Sequence, residues 1–134
     1  MEPSSRLQVL FLEDDPDTRE MVTVMLSQSD IEVLSVETSR EAMLLAGTKA
    51  FNAFLLDGML PDGDSVRLCR VLKARFPERP VIFYTGVAES LEIERAMTAG
   101  AAAYLVKPYL GDLAKAVTDA VHFAANGSAA WPSD

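Results

Sequence analysis

Cysteine and histidine each occur once in the 134 residues, as Cys69 and His122. A lone thiol builds neither an internal disulfide nor a thiolate metal site, and its scarcity agrees with a reducing compartment. Positive charge is also short: 12 lysines and arginines face 20 aspartates and glutamates, for a net charge of −8. That balance disfavours nucleic acid and anionic membranes, and favours a cation or a basic protein as partner. No apolar run approaches the length of a membrane span, and Met1-Glu-Pro-Ser-Ser-Arg6 has no apolar stretch after its charge. A cytoplasmic, soluble protein is the expectation. Internal repeats, low-complexity tracts and interdomain linkers are missing as well. What is present is an apolar fraction of 49%, enough for one domain with a substantial core. Residues 1–126 are expected to form it, leaving 127–134 as a polar tail that carries Trp131.

Five short apolar runs alternate with helical patterns. Leu7 to Leu12 reads as a strand, and Pro16 then suits a first helical turn whose positive end Asp17 and Glu20 favour. Met21, Val22, Met25 and Leu26 fall at helical spacing, and the pattern fades by Ser29-Asp30. Ile31 to Val36 is a second strand, and Thr38-Ser-Arg-Glu41 matches a capping box ahead of a short helix. Ala53 to Leu56 is the third strand. Val66, Leu68, Cys69, Leu72 and Phe76 then mark a helix that must end before Pro77. Val81 to Tyr84 is the fourth strand, followed by a helix that Ser90 can cap and Gly100 can close. Ala103 to Val106 is the fifth. A last helix carries Leu110, Leu113, Val117, Ala120, Val121 and Ala124 on its apolar stripe and stops near Asn126-Gly127. Strands alternating with helices predict an α/β fold, a parallel sheet covered on both faces by right-handed crossovers. The order of pairing is not written in the spacing.

Four of the five strands run into functional groups: Glu13-Asp14, Asp57, Thr85 and Lys107. In a parallel sheet those ends share one edge, where open α/β sheets bind ligands. Three carboxylates gathered there would repel one another unless a cation intervened, and hard oxygen ligands select Mg²⁺ or a relative such as Mn²⁺. Asp57 then becomes a nucleophile able to take a phosphoryl group, with Lys107 and Thr85 placed to neutralise and hydrogen-bond its oxygens. Tyr104 reads by default as a core or edge aromatic. His122, on the late helix and far from the strand ends, reads as structural or exposed.

Taken together, Leu-Phe-Leu-Glu13-Asp14-Asp15, Leu-Leu-Asp57-Gly-Met-Leu-Pro61, Val-Ile-Phe-Tyr-Thr85-Gly86 and Ala-Tyr104-Leu-Val-Lys107-Pro108 closely resemble the receiver domain of bacterial two-component response regulators. The likeness covers about residues 7 to 125. It implies a flavodoxin-like, doubly wound sheet in the order 2-1-3-4-5 with five helices. It also implies an aspartyl phosphate at Asp57, supplied by a histidine kinase or histidine phosphotransfer protein. Asp14 would bind Mg²⁺ directly, Glu13 through water, and Met59 through its backbone carbonyl. Thr85 and Tyr104 would be the switch pair, with the signal read on the surface of the fourth helix, fifth strand and fifth helix by a downstream protein or in a phosphorylation-dependent dimer.

The chain departs from that pattern in places. Ser65 stands eight residues after Asp57, where receivers usually have glycine, with Gly63 two places earlier, so the loop after Pro61 is expected to follow its own path. Glu13 replaces the commoner aspartate. Met59 and Val87 are apolar where polar residues often guide the hydrolytic water, which implies slow loss of the phosphoryl group.

Two other functions compete with a signalling switch. A phosphatase of the haloacid-dehalogenase type needs a second aspartate two residues after the nucleophile, and Met59 occupies that place. A non-phosphorylated interaction module would have no chemical need for the full set of acids, threonine and lysine. With no basic recognition helix after the last helix, direct DNA binding is not expected of these residues. The initial methionine and the polar end after Gly127 point to a stand-alone form rather than to an excised part.

Overall fold

The structure is a computed structural model that describes residues 6–60, 63–109 and 111–126. Its central sheet contains Leu7–Leu12 (β1), Ile31–Val36 (β2), Ala53–Leu56 (β3), Val81–Thr85 (β4) and Ala103–Val106 (β5). The order is β2-β1-β3-β4-β5, and every pairing is parallel. That is the arrangement the resemblance implies. Composition follows position: central β3 is apolar throughout and wholly buried, whereas edge strand β2 exposes Glu32.

Five helices are found among the described residues: Pro16–Ser27 (α1), Ser39–Leu45 (α2), Ser65–Arg75 (α3), Ser90–Thr98 (α4) and Leu113–Ala125 (α5). They divide the core in two. Val22 and Leu26 of α1 join Leu113 and Val117 of α5 over the Val9, Phe11 and Leu55 face. On the other face Ala42, Leu68, Leu72 and Ala96 from α2, α3 and α4 cover Leu10, Phe54 and Phe83. Among the described residues, no helix is long and apolar enough to cross a membrane.

Side-chain caps begin four of the helices. The Asp15 carboxylate accepts from the Thr18 amide, Thr38 Oγ1 from Glu41, Asp64 from Val66 and Asp112 from Lys115. The box at Thr38 is shifted, because the Glu41 carboxylate reaches back to the amide of Glu37, one residue before the cap. Ser90 does not cap α4. It is already the first helical residue, and Glu89 takes the cap position without a side-chain hydrogen bond. Expected and observed ends also differ at Thr85, which completes β4, and at Leu113, where α5 begins behind Asp112. Leu110, Pro61, Asp62, Gly127 and Trp131 lie outside the described residues. After α4, Gly100 takes φ of +110°, the left-handed conformation that lets the chain turn into β5.

A small element was not foreseen. Met59–Leu60 and Gly63–Asp64 pair as a two-residue antiparallel hairpin between Asp57 and α3.

Cys69 is fully buried on α3, and burial pushes its thiol pKa up to about 12. A thiol reagent at mildly alkaline pH is therefore expected to leave the native protein unmodified and to label it once in guanidinium chloride. Mass spectrometry reads both results, and fast labelling of native protein would contradict this burial.

Candidate functional site

Sheet pairing continues beyond the strands into the residues with chemistry. The Glu13 amide donates to the Val36 carbonyl at 3.0 Å, Asp57 to Leu12 at 2.9 Å and Lys107 to Thr85 at 2.8 Å. These bonds fix three backbones at the same carboxyl edge. Carboxylate oxygens of Glu13, Asp14 and Asp57 lie within 4.8 Å of one another there, with Glu13 and Asp57 buried and Asp14 exposed. Lys107 closes the group. Its Nζ is 2.6 Å from Glu13 Oε1 and 3.7 Å from Asp57 Oδ2.

The electrostatics follow from that crowding. Burial, aided by the charge of Asp57, raises the Glu13 pKa above its ordinary value, and Lys107 opposes this without cancelling it. Burial also works against the Lys107 ammonium. Its hydrogen bond to Glu13 and the charges of Asp57 and Glu13 outweigh burial and hold its pKa above the ordinary value. A clustered set of hard oxygen donors fits a small divalent cation. Glu13 enters it with both oxygens engaged, Oε1 by Lys107 and Oε2 by the Asp15 amide at 3.2 Å.

Around Asp57, the Met59 amide donates to Oδ1 at 3.2 Å, and the Ser65 hydroxyl donates to the backbone carbonyl. The serine that replaces the usual glycine therefore ties the first turn of α3 to the residue at the centre of the site. Gly58 is required by close approach, because a Cβ there would lie 2.9 Å from Thr85 Oγ1. Thr85 is fully buried, and its Oγ1 accepts from the Val87 amide at 3.2 Å. Tyr104 stacks on Phe83 with ring centroids 5.5 Å apart and donates to the Val87 carbonyl at 2.7 Å. Val87 is thus held from both sides by the two residues expected to act as a pair. Burial and the charges of Glu92, Asp57 and Glu89 keep the Tyr104 phenol pKa above its usual value, so it remains a donor.

An open groove of about 750 Å³ runs past this edge, lined in part by Asp14, Gly58, Met59, Val87, Leu91 and Glu92. Met59 is largely exposed in it. All the expected site residues therefore gather around one rim, and His122 stands apart on exposed α5 positions. Sequence reasoning missed Ser65 and Tyr84, whose ring lies 5.2 Å from Lys107 Nζ. In the sequence the serine's offset from Asp57 marks only the glycine it replaces, and nothing there points to its hydroxyl. Tyr84 read simply as one more apolar strand residue.

A family model described as "Response regulator receiver domain" matches residues 9–118. Among curated proteins, the response regulator protein PilR of Pseudomonas aeruginosa is 32% identical, over 87% of this chain and 26% of PilR. The DNA-binding response regulator MtrA of Mycolicibacterium smegmatis is 27% identical, over 78% of this chain and 45% of MtrA. The chain thus spans between about a quarter and a half of these relatives. A CheY-like response regulator receiver domain protein from Methanospirillum hungatei JF-1 superposes with a TM-score of 0.86 and 25% identity, covering 92% of this chain and all of that one.

Proposed function

The chain belongs to the response regulator receiver domain family, and on that premise we propose that Asp57 accepts a phosphoryl group from a phosphohistidine. The donor would be a histidine kinase or a histidine phosphotransfer protein. The observation that carries this reading is the meeting of three carboxylates and the Lys107 ammonium at one sheet edge.

A carboxylate oxygen of Asp57 attacks phosphorus, the P–N bond breaks, and its electron pair leaves with the imidazole. Asp14, Asp57 and the Met59 carbonyl would hold Mg²⁺ or Mn²⁺, with Glu13 acting through water because its own oxygens already have protein donors. Such an ion supplies charge neutralisation for the transferring phosphoryl oxygens. Lys107 stands 3.7 Å from Asp57 and supplies a fixed positive charge to the same oxygens.

Thr85 then turns its hydroxyl from the Val87 amide to a phosphoryl oxygen. That releases one of the two holds on Val87, and Tyr104 moves inward into the space. The change is read on α4, β5 and α5 by a downstream protein or a second copy of the chain. The excess of acidic residues supports output through protein contacts rather than through DNA. The protein is accordingly a cytoplasmic signalling switch rather than an enzyme, catalysing only its own phosphorylation from small donors and slow loss of the phosphoryl group.

Incubation with Mg²⁺ and acetyl phosphate, followed by intact mass measurement, tests the chemistry. The wild-type protein is expected to gain the mass of one phosphoryl group, and Asp57→Asn or wild type in excess EDTA to gain none. Equal labelling of Asp57→Asn would overturn the assignment.

A further inference from the structure

Tyr84 faces away from the switch residues and shares the core cluster that α1 and α5 close, together with Leu113 and Val117. It is 6% exposed, so its ring has little freedom. Strand alternation puts it on the sheet face opposite Thr85, and pairing with β5 sets Tyr84 beside Leu105 and Thr85 beside Val106. The chain leaving β5 therefore brings Lys107 over the exposed rim of the Tyr84 ring, with Nζ 5.2 Å from the ring centroid.

From this we propose that Tyr84 is a positioning residue for phosphoryl transfer, its ring face holding the Lys107 ammonium over Asp57. The inference rests on the assignment of Asp57 and Lys107 made above.

A lysine side chain has many rotamers, and its ammonium is a compact, strongly hydrated charge. Three groups restrict this one: Glu13 at 2.6 Å, Asp57 at 3.7 Å and the Tyr84 ring. Glu13 is the nearer carboxylate and competes with Asp57 for the charge. The negative face of the aromatic ring attracts a cation without supplying a third full charge. The ring thus adds a third contact that restricts the ammonium beside Glu13 and Asp57. A residue that merely filled the core would be replaceable by leucine. A ring that acts on the cation would be replaceable only by another ring.

Tyr84→Leu and Tyr84→Phe separate these roles. With saturating acetyl phosphate as donor and Mg²⁺ present, the first-order rate constant for labelling is expected to fall on the order of threefold to tenfold in Tyr84→Leu. The Mg²⁺ affinity measured by calorimetry should stay unchanged, and Tyr84→Phe should recover most of the rate. NMR supplies a readout that does not depend on Asp57 reacting at all. The ring current should place the Lys107 ε-methylene protons upfield in wild type and Tyr84→Phe, and the displacement should vanish in Tyr84→Leu. A leucine variant as fast as wild type, a phenylalanine variant as slow as leucine, or an undisplaced Lys107 signal in wild type would each overturn the proposal. Failure of the wild type to be labelled, with the upfield signal present, would count against the assignment of Asp57 and support the Tyr84 contact.

Discussion

Lys107→Ala is expected to slow phosphorylation of Asp57 by acetyl phosphate on the order of a hundredfold, the scale of losing one preorganised electrostatic donor. Lys107 is the one described cation within ion-pair distance of Asp57. Charge builds on the phosphoryl oxygens during transfer, and no other side chain in the cluster can offset it, since the remaining three are acids. The substitution also strips Glu13 of its 2.6 Å partner. A buried carboxylate without its counter-ion is destabilising, although the partial exposure of Lys107 moderates the effect. Thermal melting alongside the rate assay keeps the two consequences apart. Lys107→Arg should recover only part of the rate, because a planar guanidinium keeps the charge but does not occupy the space of an ammonium. A rate within twofold of wild type in Lys107→Ala would remove the lysine from the mechanism.

Much of this arrangement was legible in the residues themselves. A buried central strand such as Ala53–Leu56 has to be apolar on both faces, so it stands out as an unbroken run, and the carboxylate after it marks where burial ends. The same logic exposed Glu13, Thr85 and Lys107. Strand order was not legible from spacing, because a right-handed crossover can bring a strand to either neighbour; the resemblance supplied it. Pairs of two residues leave no periodic trace, which is why the Met59–Leu60 and Gly63–Asp64 hairpin went unseen. The cap of α4 was misplaced by one residue because Glu89 and Ser90 are both polar and only backbone conformation tells them apart. Tyr84 could not be found at all. Its relation to Lys107 exists only once β4 and β5 lie side by side, and an aromatic in a strand is fully explained by core packing until then.

The core beneath the site leads to the second large effect. Phe54→Ala should cost about 3–5 kcal/mol of stability, a large part of the roughly 5–15 kcal/mol typical of a folded domain. Phe54 is fully buried in β3, opposite Leu10 of β1 and Val81 of β4, and its ring lies 6.3 Å from that of Phe51 and 5.8 Å from that of Phe76. Removing it opens a cavity that two strand neighbours and two aromatic rings cannot all move to fill. The melting temperature should fall by roughly 10–20 °C. Denaturant titration should show a lower midpoint with an unchanged slope, since the surface exposed on unfolding is nearly the same. Leu44→Ala offers the contrast. That side chain is 69% exposed on α2, and its loss should change stability by less than about 0.5 kcal/mol. Because Asp57 is held by its own backbone bond to Leu12 and by Ser65, the folded fraction of Phe54→Ala should still be labelled at low temperature. A folded but unreactive Phe54→Ala would mean that the position of Asp57 depends on the aromatic cluster as well as on those local bonds.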